Sequence, residues 1–172
     1  MTERWEAERS ALRAVSFGYA AAVDDGDGAR FAALFTEDGE LVVPNYPDDL
    51  RPLVVRTGTE QLRGIPGGLA RYEWTFHQLA EPQLTFPDGD GRPTTATGSV
   101  RGVAHHVTAD PSPSGPLGTD TVWYLRYADD YRRVEDDWRI ARRVLHLQWV
   151  EERPVVAMAQ RAGTGWGGGV PT

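Results

Sequence analysis

Tyr19 is followed five residues later by Asp24, inside the run Asp24-Asp25-Gly26-Asp27, and His77 and the pair His105-His106 stand further along the chain. Five residues is slightly more than one helical turn, so the phenol and the carboxylate are expected on neighbouring sectors of one helix. A phenol, a carboxylate and an imidazole gathered in one apolar pocket are the parts of an acid–base catalyst. In such a pocket Asp24 holds His77 through a ring N–H or acts as the base itself, and a nearby carboxylate stabilises the charged imidazole. The plainer reading makes Asp24 a helix-end carboxylate that accepts backbone N–H groups. It makes His77, between Trp74, Phe76 and Leu79, a satisfied core group.

His105 and His106 must point to opposite faces of a strand. The His106 face also carries Ala104, Gly102, Val100 and Gly98, small residues that leave room for helices or a ligand. The other face carries Val103, Arg101 and Ser99 and reads as the more solvated one, so His106 is the candidate. Tyr46 reaches toward the same pocket from a loop, and Trp74 and Val100, with Phe76, would supply apolar walls if they face inward. A zinc or iron site built from His77, His106, His146 and Asp24 is the competing use of these side chains. No two of them stand at metal-ligand spacing, and the reading adopted has no metal and no cofactor.

Composition narrows the rest. The 172 residues fit one domain with a real core, and 40% of them are hydrophobic. A net charge of -7 argues against nucleic acid, which needs clustered basic residues. The arginines between Arg126 and Arg143 are interrupted by Asp129, Asp130, Glu135, Asp136 and Asp137. With no cysteine there is no disulfide framework, no thiol nucleophile and no Cys-based zinc site. All 18 basic residues are arginine, which removes the Schiff-base and P-loop lysines. No apolar leader follows Met1 and no long apolar run occurs, so the expectation is a cytoplasmic protein that neither enters nor crosses a membrane.

The elements that must position these residues follow from periodicity. Trp5, Leu12, Val15, Tyr19, Ala20 and Val23 recur at helical spacing and predict a helix over 4–23 that stops near Gly26. Asp27 is a fitting N-cap for a second helix with Phe31, Leu34 and Phe35 on one face. Short strands are expected over 40–44 and 53–56, with a polar loop over 45–51 between them, and a third helix is expected from Thr57 toward Arg71. The second half changes period: 75–86 is extended, and 94–108, 119–134 and 138–151 read as long strands. The last two are joined through Glu135-Asp136-Asp137 as a hairpin. Residues 1–151 form one domain in this reading. Residues 152–172 are a Gly-rich extension with one or two helical turns after Pro154 and a loose end. Helices first and strands after imply α+β, a cone-shaped, strongly curved mixed or antiparallel sheet packed against about three helices.

In these features the chain resembles the SnoaL-like branch of the nuclear transport factor 2-like superfamily. The resemblance rests on Tyr19…Asp24-Asp-Gly-Asp27, Phe35-Thr-Glu-Asp-Gly39, His77 in a strand, Ala96-Thr-Gly98 through Ala104-His-His106, and Trp138-Arg-Ile140-Ala-Arg-Arg143. It implies the cone fold and a branch that holds scytalone dehydratase, bile-acid dehydratases, steroid isomerases and polyketide cyclases, together with members of no known activity. It further implies His77 as the proton abstractor, Asp24 as its orienting carboxylate or the base, and Tyr19 as acid. His106 would be a second active-site histidine, and Arg143 would be a late-strand arginine that binds an acidic or carbonyl-bearing substrate or pairs with an acidic neighbour. Val23 stands where scytalone dehydratase has an active-site tyrosine, a departure from that enzyme.

The function expected is cofactor-free acid–base catalysis on a small hydrophobic carbonyl compound of polyketide, steroid or aromatic type, by a dehydratase, isomerase or cyclase. The alternatives are a non-catalytic binding module and an assembly subunit like the small subunits of ring-hydroxylating dioxygenases. A homodimer or higher homo-oligomer is expected.

Overall fold

The computed structural model describes residues 5–87, 91–109 and 117–156. Helix α1 (Glu6–Asp24) buries Leu12, Val15, Tyr19 and Val23, which recur at three- and four-residue intervals along one stripe. It ends where Gly26 takes a left-handed φ of 69°. Asp27 then caps α2 (Gly28–Ala33) by accepting the Arg30 backbone N–H at 2.9 Å, as its side-chain chemistry predicts. Helix α3 (Gly58–Arg63) follows the first two strands and stops at Arg63 rather than near Arg71, and a separate 3-10 turn spans Pro66–Leu69.

Seven strands make one open, mixed sheet. They are β1 (Phe35–Asn45), β2 (Asp49–Thr57), β3 (Trp74–Leu79), β4 (Gln83–Thr85), β5 (Thr95–Ala109), β6 (Gly118–Val134) and β7 (Asp137–Val155). The order is β2-β1-β7-β6-β5-β3, with β4 also on β5. Only β1 and β7 run parallel; the other pairs are antiparallel. Three helices packed on a mixed sheet that does not close on itself is the α+β architecture expected.

The departures are local. Phe35 opens β1 instead of closing a helix face, because its ring is drawn to Phe31 and Tyr19 in the core while its backbone joins β7 opposite Ile140. Both early strands are longer than expected, and only the three-residue turn Tyr46-Pro47-Asp48 remains of the loop between them. The single extended run over 75–86 is two strands. Pro154 does not start a helix: β7 runs through it to Val155, edge-paired to β6. The rest of the extension, from 157, lies outside the described residues.

Gly98 and Gly102 leave room neither for helices nor for a ligand. A Cβ on Gly98 would stand 2.8 Å from the Tyr131 ring, and one on Gly102 would stand 2.7 Å from a Leu79 methyl. The space over both is filled from within the sheet.

Candidate active site

Asp24 is the last residue of α1, and His77 is the fourth of β3. One carboxylate holds the histidine twice. Oδ2 accepts the His77 backbone N–H at 2.8 Å, and Oδ1 accepts the ring Nδ1–H at 2.7 Å. A carboxylate at neutral pH only accepts, so Nδ1 carries a proton, and the neutral form of the ring has its lone pair at Nε2. The pair is largely withdrawn from water, with 8% of the His77 side chain exposed and 21% of that of Asp24. Burial by itself would raise the Asp24 pKa. The hydrogen bonds from the His77 ring and backbone, with a further one from the Thr75 hydroxyl, outweigh it and hold the carboxyl below its ordinary range.

Strand register builds the surroundings. His77 pairs with Ala104, which pairs with Trp123; the next rung is Thr75, His106 and Thr121. Residues paired across strands share a face, so His77, His106, Trp123 and Thr75 stand together around the small side chain of Ala104. The His77 and His106 rings meet edge to face with centroids 5.6 Å apart. His106 also meets Tyr72 at 5.0 Å and Trp123 at 4.9 Å, and Trp123 meets Tyr46 at 5.1 Å. A cleft of about 190 Å³ opens beside the dyad, lined among others by Asp24, Leu69, Tyr72 and Thr75. His106 is 3% exposed. Burial, and after it the like charge of His77, push its pKa down to about 4, so the ring is neutral at pH 7. Its Nδ1 stands 3.2 Å from the Thr121 carbonyl oxygen, which makes Nδ1–H the donor.

His105 turns to the other face, where its Nδ1 meets Asp120 Oδ2 at 2.7 Å and its ring lies 6.2 Å from the exposed Phe76. The alternation argument therefore separates the two histidines as expected. The same alternation moves two expected wall residues. Trp74 and Phe76 share a parity opposite to that of Thr75 and His77, so β3 presents them to the outer face and not to the pocket.

Tyr19 belongs to a second cluster. Five residues at about 100° each is about 140° around the helix, more than the neighbouring sector expected. Asp24 turns to β3, while the Tyr19 ring packs on Phe31, Phe35 and Tyr127 at 4.9, 6.3 and 5.5 Å. The Arg143 guanidinium lies 4.2 Å over that ring and 4.4 Å over Tyr127. Arg143 is fully buried and grips Asp129 with two bonds of 2.8 and 2.7 Å; Tyr131 donates to the same carboxylate at 2.6 Å. Burial raises the pKa of the Tyr19 phenol, which keeps it protonated. Arg143 Nη1 is buried with no hydrogen-bond partner. The neighbouring Arg142 faces Glu40 on the outer side at 3.3 Å, which decides the face that the sequence left open. Val100, opposite Tyr127, is fully buried in the core beneath this cluster and is no exposed wall.

Sequence reasoning passed over Trp123, Tyr72 and Asp129. A signal existed for the last: Asp129 continues the inward series Trp123, Leu125 and Tyr127, a carboxylate in an aromatic and apolar stripe. Tyr72 lies between elements and carried none. Among the described residues no group of three or more His, Cys, Asp or Glu is gathered as a metal site. No helix among them is long and apolar enough to cross a membrane.

Residues 6–144 match the profile of the SnoaL-like domain. No curated protein sequence matches the chain. Solved structures share the fold. A candidate scytalone dehydratase from Novosphingobium aromaticivorans superposes with a TM-score of 0.71 at 23% identity, over 96% of this chain and 99% of that one. The type 3 hexachlorocyclohexane dehydrochlorinase LinA of Novosphingobium barchaimii gives 0.67 at 15% identity, over 96% of each. Rv3472 of Mycobacterium tuberculosis, a protein of unknown function, gives 0.65 at 25% identity, over 85% of this chain and 74% of that one.

Proposed function

We propose, since the chain belongs to the SnoaL-like domain family, that it is a cofactor-free lyase acting on a small hydrophobic carbonyl compound. Two of the similar structures are a candidate dehydratase and a dehydrochlorinase, enzymes of elimination, which favours elimination over isomerisation or cyclisation. The observation that carries the reading is the doubly tethered dyad: a largely buried imidazole with Nδ1 committed to Asp24 and Nε2 available as base.

In the proposed reaction Nε2 of His77 takes a proton from the carbon beside the carbonyl, and Asp24 stabilises the imidazolium that forms. The C–H electron pair becomes the new double bond as the neighbouring C–O bond breaks. The departing hydroxide takes the proton back from His77 and leaves as water. The donors proposed for the carbonyl oxygen, where negative charge develops, are the Tyr19 phenol and the unpartnered Nη1 of Arg143, so the substrate would have to extend from the dyad to this second cluster. Tyr46 contributes an aromatic wall through Trp123. The same reading takes the protein as a cytoplasmic homo-oligomer, in keeping with a chain without cysteine.

Turnover of β-hydroxy carbonyl compounds tests it. Asp24→Asn and His77→Ala are each expected to lower kcat by roughly 10²–10⁴-fold, the usual worth of a positioned general base, with ligand binding retained. Absence of turnover on every such compound, with binding unchanged by either substitution, would favour the non-catalytic module.

A further inference from the structure

The cluster around His106 contains a second piece of unused chemistry. Trp123 Nε1–H is buried and has no hydrogen-bond acceptor. Leaving a buried donor unmade is costly, and such groups are uncommon in folded proteins. The indole stands in ring contact with His106 at 4.9 Å. His106 is itself committed in one direction, because the Thr121 carbonyl can only accept, so Nδ1 is the donor and Nε2 the acceptor. Its burial among Tyr72, His77 and Trp123 keeps the ring neutral, which removes the second proton it would need to donate from Nε2. His106 therefore offers Nε2 as an acceptor and not as a donor.

We infer that Trp123 Nε1–H and His106 Nε2 form a donor–acceptor pair that binds a hydroxyl group of the ligand. A hydroxyl accepts from the indole through its oxygen and donates its proton to the imidazole. An ether only accepts, and a hydrocarbon does neither. A site with a fixed buried donor and acceptor rejects analogues lacking the matching group, because its own polar atoms are then left unpaired. The ligand class follows: an apolar, ring-sized compound bearing an alcohol, phenol or enol, with that oxygen directed at β5 and β6. This rests on the same pocket as the proposed lyase reading but not on its chemistry, since neither side chain moves a proton in the reaction.

Binding of 2-naphthol, 2-methoxynaphthalene and naphthalene to the full chain, followed by calorimetry and by the indole N–H resonances, tests the pair. The expectation is a preference for 2-naphthol over both analogues of about tenfold, with the Trp123 indole N–H resonance shifting for the naphthol alone. Trp123→Phe and His106→Phe should each reduce that preference to about twofold or less. Nitrogen-15 shifts of the wild-type imidazole should report the Nδ1–H tautomer for His106, a readout that needs no variant to fold. Equal binding of naphthol and its methyl ether, no binding of naphthol, an unchanged preference in both variants, or the Nε2–H tautomer would each overturn the inference. The same titration on Asp24→Asn separates the two proposals. Retained naphthol preference in a chain whose wild type turns over no carbonyl compound would sink the lyase reading and leave the hydroxyl subsite standing.

Discussion

At the scale of single residues, the two inward histidines differ in what holds them. His77 is anchored to an ionised carboxylate, and His106 to a peptide carbonyl whose hydrogen bond does not outweigh the burial that keeps that ring neutral. The buried neutral state of His106 has a cost in acid. Its pKa is about 4 in the folded chain against an ordinary 6.5, so the unfolded chain binds more protons between those values. Stability is full above about pH 6.5 and falls as the pH drops toward 4, by about 3 kcal/mol from this one group. Urea unfolding at pH 7, 6, 5 and 4 should show that decline, and His106→Gln, which does not titrate, should flatten it. An equal decline in the variant would assign the acid sensitivity to other groups.

At the scale of elements, the strands do most of the positioning. The antiparallel register of β3, β5 and β6 sets His77, Ala104 and Trp123 in one rung and Thr75, His106 and Thr121 in the next. The β6–β7 hairpin that supplies Trp123, Asp129 and Arg143 turns through only two residues, Glu135 and Asp136, between the paired Val134 and Asp137. Glu135 takes a left-handed φ of 55° there, a conformation that costs a residue with a Cβ about 1–2 kcal/mol. Glu135→Gly should relieve that and, after the added entropy of glycine in the unfolded chain, still stabilise by about 0.5–1 kcal/mol. Differential scanning calorimetry should read this as a rise of about 1–4 °C in Tm. A fall in Tm would mean that the Glu135 side chain stabilises the hairpin.

At the scale of the whole molecule, α1 is clamped to the sheet at both ends by carboxylates. Asp24 closes its C-terminus on β3. In its first turn Glu8, 8% exposed, accepts from Trp138 Nε1 at 2.7 Å and Arg92 Nε at 2.8 Å, and pairs with the Arg133 guanidinium. Sixteen residues separate the two clamps, or about 24 Å of helix. Between them the Asp129–Arg143 pair sits under the middle of the helix, where Ser16 lies 3.0 Å from the Tyr131 hydroxyl. The helix thus carries one carboxylate of the site and a remote anchor that sets its path across the sheet. Glu8→Ala would strand a buried guanidinium and an indole N–H, and should cost about 3–5 kcal/mol, lowering Tm by about 10 °C or more. Glu8→Gln should recover part of the loss, because its amide oxygen still accepts. Little change in either variant would show that the anchor is dispensable.

Local sequence was enough for whatever depends on spacing along one element. The apolar stripe of α1, the Asp27 cap, the long strands, and the choice of His106 over His105 by strand parity are all periodicities of 3.6 or 2 read from neighbouring residues. The carboxylate–imidazole pairing of Asp24 and His77 was legible as chemistry and through family likeness, though the two stand 53 positions apart. What the chain concealed depends on how separate elements face one another. Parity alone could not say which side of β3 is inside, so Trp74 was turned the wrong way. Tyr19 was drawn to the dyad by its distance along the helix, while its angle around the helix sent it to Arg143. Register joined Trp123 to His106, and packing selected the Thr121 carbonyl that decides which nitrogen of that ring holds the proton. Spacing along a chain constrains direction within an element, but hydrogen-bond partners across elements are chosen only when the sheet and the helix close on each other and polar groups deprived of water must find what remains.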